Sequence, residues 1–159
     1  MESYQHIQQR HHKEVQDIWE GEITIEEKID GSQFRIEFYP DREMDFGSHH
    51  NDGVGVDSMF RVAIESAKKI FQDYKPEVRT TIFCEYLSKP KQNSIPYENV
   101  PNNNLILFDV KRDDKYLNRK KKEEFAKKHG LDIVPPVRFS FMLTVSSSLI
   151  YRIQTGLVL

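Results

Sequence analysis

Lys28, Asp30 and Gly31, in the stretch "EKIDG", are residue types that can do chemistry together. A lysine becomes a useful nucleophile when desolvation or nearby positive charge helps remove its proton. Gly31 removes a side chain that would block a ligand's approach to the backbone. Asp30, two residues past the lysine, can orient the ammonium or bind a substrate hydroxyl. A surface hairpin turn with a Lys28–Asp30 ion pair reads the same way, so these residues alone leave both readings open. Two later segments add weight. "FCEYL" puts Glu85 inside an apolar run, where a carboxylate is costly unless it is paired or bound to something. "LILFDV" puts Phe108 and Asp109 at the end of another run, where the phenylalanine reads equally as core filler.

The elements that must hold these residues follow from periodicity. "EITIEEK" and "SQFRIEFYP" alternate and read as two half-buried strands flanking the "KIDG" turn. "REMDFGS" reads as a third short strand, and "HHNDGVGVD" as a loop. From Asp57 the period changes to three and four, giving an amphipathic helix capped by Asp57 or Ser58 and ended before Pro76. "TTIFCEYL" and "LILFDV" are strands, joined by a long proline-containing loop. Asn118 caps a helix running to about His129, with Gly130 beyond its end. "LDIVPPV" is a strand broken by prolines. Tyr4, Ile7, Val15, Ile18 and Trp19 pack as an N-terminal arm or short helix. The expected fold is α+β: mainly antiparallel sheet with two helices, in a single domain over residues 1–159.

The bulk properties bound the function classes. A chain of 159 residues is long enough to bury a core, and its 30% charged residues predict solubility. No run of ~18 apolar residues suggests a membrane span, and the N-terminus has no secretory pattern. The single cysteine, Cys84, excludes an internal disulfide and fits a reducing, cytoplasmic setting. The net charge of −2 is not that of a general polyanion binder. Positive charge is nevertheless concentrated from Lys111 to Lys128, either as a solvated helix face or as a surface that attracts phosphates.

Other constellations carry less. His11–His12 and His49–His50 lack any supporting cysteine spacing, so no metal site is expected. Cys84 sits in an apolar strand and reads as a small core residue. "DGVGVD" lacks the spacing of a phosphate loop. Lys89 and Lys91 belong to a solvated surface loop.

Taken in order, "EKIDGSQF", "FCEYL" and "LILFDV" resemble the covalent nucleotidyltransferase superfamily of ATP-dependent ligases and capping enzymes. The closest likeness is to the RNA-ligase branch, whose first motif has the form E-K-x-x-G-[ST]-x-F. "YLNRKKKEEFAKKHGLDIVPPV" resembles the linker helix and strand that follow in such ligases, so the likeness covers roughly residues 4 to 137. The resemblance implies a nucleotidyltransferase, ATP-grasp-like ligase adenylation fold. It implies that Lys28 attacks the α-phosphate of ATP, expels pyrophosphate and carries AMP to the 5′-phosphate of an RNA end, DNA ends remaining an alternative. Glu27 would border the adenine site, in part through its backbone, Ile29 would be among the nucleotide-binding residues, and Asp30 and Gly31 would line the pocket near phosphate and ribose. Glu85 would accept a hydrogen bond from a ribose hydroxyl, Phe108 would stack on the purine, and magnesium would accompany the phosphates.

The chain departs from the family pattern in two places. In "FGSHHND", His49 stands where the family has an arginine that touches the ribose, with Arg42 as a possible substitute. The ending "QTGLVL" resembles the fourth motif with Thr155 in place of its glutamate, and the K-x-K lysines of the fifth motif are missing. The expectation is an adenylation domain incomplete at its C-terminus, needing a partner or a further segment to supply catalytic lysines. A catalytically degenerate nucleotide- or RNA-binding relative is one alternative. An mRNA guanylyltransferase or a DNA ligase is another.

Overall fold

Both faces of the strand that follows "KIDG" are covered. In the computed structural model, which describes residues 4–9, 12–19, 23–53, 55, 59–90 and 94–137, this strand is β1 (Ser32–Tyr39). It pairs antiparallel with β2 (Arg42–Ser48) on one side and β3 (Thr80–Tyr86) on the other. Next to β3 lies antiparallel β4 (Leu105–Arg112). The outer edge of β4 is shared. Its last residues pair antiparallel with β5 (Lys115–Tyr116), and its earlier ones pair parallel with β6 (Asp132–Ile133). With helices α1 (Arg61–Ile70) and α2 (Arg119–His129), the described residues have the expected α+β architecture.

Both helices pack on one face of the sheet. Phe34, Ile36 and Phe38 of β1 join Ile82 and Cys84 of β3, Leu105 and Leu107 of β4, Ala63, Ile64 and Ala67 of α1, and Phe125 and Ala126 of α2 in one buried cluster. Side chains alternate across a strand, so Arg35 and Glu37 point to the opposite face. The half-buried reading fails there, because both are fully buried. Arg35 donates to Asp52 at 2.6 Å, and Glu37 accepts from Arg79 at 3.2 Å and from the Tyr39 hydroxyl. Buried charges of this kind persist because they are paired.

The helix ends follow local rules. The Asn118 side chain accepts the Lys121 amide at 3.1 Å, and Gly130 closes α2 at φ 64°, a left-handed conformation that suits glycine. α1 stops at Ile70, short of the expected end, and the chain turns through Phe71, whose carbonyl accepts the Tyr74 amide at 3.0 Å. Both of these aromatic side chains still pack against the core. The expected caps Asp57 and Ser58, together with His11, Lys91 and the "QTGLVL" ending, lie outside the described residues. The N-terminal region contains a 3-10 segment, Lys13–Trp19, kinked at Val15.

The expected hairpin around "KIDG" does not form. The described part of "EITIEEK", residues 23–28, does not pair with β1 and is not a full strand. It meets the segment after β6: Glu27 donates to the Pro135 carbonyl at 3.1 Å, Val137 donates to the Ile25 carbonyl at 2.8 Å, and Glu26 faces Pro136. Pro136 occupies a position between these bonds where no amide hydrogen is needed, so the two prolines do not break the pairing.

Candidate functional site

Lys28 is reached from a clamped strand end. Two residues before it, Glu26 accepts Arg119 Nη1 at 2.7 Å and Lys122 Nζ at 2.8 Å. Lys122 is itself buried and donates to the Phe108 carbonyl at 2.7 Å, while Arg119 donates to the Val134 carbonyl at 2.8 Å. One face of α2 thereby ties the segment carrying Lys28 to the strand carrying Phe108. These charge-assisted bonds are the stronger kind. The basic run is thus not uniform: Arg119 and Lys122 are internal fasteners, while Lys120, Lys121, Lys127 and Lys128 are exposed.

Immediately after Lys28, Ile29 is buried against Leu87, Ile106 and Val134, with Phe108 and Tyr97 packed on the same cluster. Gly31 follows two residues after Ile29, and its type is required by close approach. A Cβ there would lie 2.7 Å from the Tyr86 carbonyl oxygen and 2.8 Å from Glu85 Cγ. Without that atom, the Gly31 amide donates to Glu85 Oε1 at 3.1 Å. Burial pushes the Glu85 carboxyl up to about 7, against the opposing pull of the Gly31 N–H and the Lys28 charge.

These groups surround a cavity of about 770 Å³. Glu27, Lys28, Ile29, Gly31, His49, Glu85 and Phe108 all line it. Asp30 does not: its carboxylate accepts the backbone amides of Ser94 at 2.7 Å and Ile95 at 2.9 Å. His49 and His50 are exposed, with ring centroids 4.4 Å apart. Arg42 cannot stand in for the family arginine at the cavity. It lies at the far end of β2, opposite Tyr39, bonded to Asp45 at 3.0 Å and stacked over the Tyr39 ring.

Sequence reasoning missed several members of this wall. Tyr4 was assigned only to packing, yet it lines the cavity, donates to Asp109 Oδ2 at 2.9 Å and packs edge-on against Phe83 and Phe108. Burial raises the proton affinity of Asp109, with Lys122 and the Tyr4 hydroxyl opposing. Gln33 follows from the register, since it sits directly opposite Glu85 and projects from the same face. Its Oε1 and Glu27 Oε2 are buried and have no hydrogen-bond partner among the described residues. Two unsatisfied acceptors beside a cavity suit a ligand that brings N–H or O–H donors. Among the described residues no group of three or more His, Cys, Asp or Glu side chains is arranged to hold a metal ion.

A lysine exposed at an apolar-floored cavity, with a largely buried carboxylate and an aromatic ring in the walls, has the features of a ligand-binding site. The sequence model of the RNA ligase family matches residues 21–151, and the chain belongs to that family. No curated protein matches the chain. No helix among the described residues is long and apolar enough to cross a membrane.

Proposed function

We propose that the cavity binds ATP and that Lys28 takes AMP from it for transfer to an RNA end. The observation that carries this reading is the convergence of Lys28, Glu85 and Phe108 on one cavity from three separate elements. The unpartnered acceptors of Glu27 and Gln33 support it, because adenine and ribose carry the donors these oxygens lack. Phe108 supplies a ring for the purine, and Glu85 an acceptor for a ribose hydroxyl.

In the first step the deprotonated Lys28 amine attacks the α-phosphorus. A P–N bond forms, the bond from that phosphorus to the bridging oxygen breaks, and pyrophosphate leaves with the electron pair. An oxygen of an RNA 5′-phosphate then attacks the same phosphorus and the P–N bond breaks. A 3′-hydroxyl finally attacks the activated 5′-phosphate and AMP departs. Such transfers depend on in-line positioning and charge neutralisation. Magnesium would arrive on the ATP phosphates, neutralising their charge with few protein ligands of its own, as is common for this ion.

The test is incubation with ATP labelled at the α-phosphate, with magnesium, followed by denaturing electrophoresis. Label that survives denaturation and disappears in Lys28→Ala is the expected result. Label from GTP alone would move the assignment to a guanylyltransferase. Measurable ATP binding with no label would mark a relative that keeps the pocket without the chemistry.

A further inference from the structure

Asp30 does not line the cavity, and its carboxylate holds the loop after β3. Its Oδ2 accepts the Ser94 amide at 2.7 Å and the Ile95 amide at 2.9 Å. Its own amide donates to the Tyr97 hydroxyl at 2.6 Å. The Tyr97 amide is fixed in turn by the Pro90 carbonyl at 2.7 Å, and its ring packs on the cluster that contains Ile29. The next amide, Gly31, is held by Glu85 from the cavity side. Two successive backbone amides just past Lys28 are thus held by side chains from two separate segments, Tyr97 of the loop and Glu85 of β3. Ile29, between them and the lysine, is anchored by burial.

We propose that Tyr97 and Asp30 are positioning residues. In this assignment the 94–97 loop is a brace behind the Lys28 backbone that sets the line along which the amine approaches its target, and Asp30 acts through the loop with no contact to the nucleotide. The assignment rests on the ATP reading above. It gives the aspartate of "KIDG" a role different from the pocket-lining one implied by resemblance. The physical reason for a brace is that displacement at phosphorus tolerates little misalignment. An error of about 1 Å in a reacting group commonly costs about a hundredfold in rate.

The test separates brace from ligand contact. Tyr97→Phe removes only the oxygen that accepts the Asp30 amide and leaves the packed ring. The rate of Lys28 labelling at saturating ATP should fall by roughly 10- to 100-fold. The ATP concentration for half-maximal rate should stay close to wild type, and the thermal unfolding midpoint should fall by no more than one orphaned amide allows, roughly 2–6 °C. Asp30→Asn keeps an oxygen acceptor for Ser94 and Ile95 and should retain most of the labelling, whereas Asp30→Ala should fall as far as Tyr97→Phe. If Asp30→Asn is as defective as Asp30→Ala and raises the ATP requirement, the aspartate charge serves the nucleotide and the brace is refuted. Unchanged labelling in Tyr97→Phe refutes the brace while leaving the ATP reading intact. A wild-type chain that takes no label refutes the ATP reading and the brace's purpose with it.

Discussion

Glu85 shows how one side chain couples the cavity to the stability of the protein. Its carboxyl is held up at about 7 in the folded chain, against an ordinary value of 4.5, chiefly because burial disfavours the charge. Between those two values the folded state keeps a proton that the unfolded state has lost. Stability contributed by Glu85 is therefore complete at low pH and is lost as pH rises through about 7, up to about 3 kcal/mol in all. His129 runs the other way. Burial among Phe71, Tyr74 and Phe125, with Lys128 and Arg112 nearby, lowers its proton affinity, so its contribution is present above 6.5 and fades on acidification. Urea midpoints measured from pH 5 to pH 8 should show the Glu85 term as the difference between wild type and Glu85→Gln, with wild type losing its relative advantage as pH rises. A constant difference across that range would contradict the assignment. At this scale the sequence was legible where a residue violated its surroundings. Lys28 stood at a turn that needed only glycine, and Glu85 stood in an apolar run. Tyr4 carried no such anomaly, since its partner Asp109 lies 105 residues away and leaves no local pattern.

Among the elements, α2 was the most legible, because Asn118 and Gly130 mark its ends by local chemistry alone. Its function as a fastener was not legible, because nothing in a lysine-rich run tells an internal cation from a solvated one. The predicted hairpin failed for a related reason: alternation announces a strand and is silent about its partner. β5, two residues long, falls below any periodic signal, whereas β6 lies inside the expected "LDIVPPV" strand and is shorter than that stretch. The clamp at Glu26 makes a quantitative prediction. Lys122→Met should cost about 1–3 kcal/mol by leaving Glu26 and the Phe108 carbonyl each short of a partner. Combined with Glu26→Gln, the loss should be smaller than the sum of the single losses, as chemical denaturation of the four proteins would reveal. Strict additivity would mean that the two side chains do not act as a pair.

The whole molecule is organised by a sheet with two unlike faces. One face is apolar and carries both helices, while the other buries Arg35, Glu37 and Lys111. Phe125 is a keystone of the apolar side, joining α2 to Phe71 and Tyr74 beyond the end of α1. Phe125→Ala should cost about 3–5 kcal/mol in unfolding free energy, a loss large enough to read directly from a urea titration. The wide separation of the cavity's parts along the chain has a consequence for biosynthesis. Glu26 meets Arg119 only 93 residues later, and closing so long a span costs entropy before any reward is collected. A nascent polypeptide that has left the ribosome only as far as β4 has the 94–97 loop available to Asp30 but lacks the α2 cations that clamp Glu26. On the reading advanced here, translation must proceed through α2 before the amine is aimed, so an interrupted product is born without the capacity to consume nucleotide.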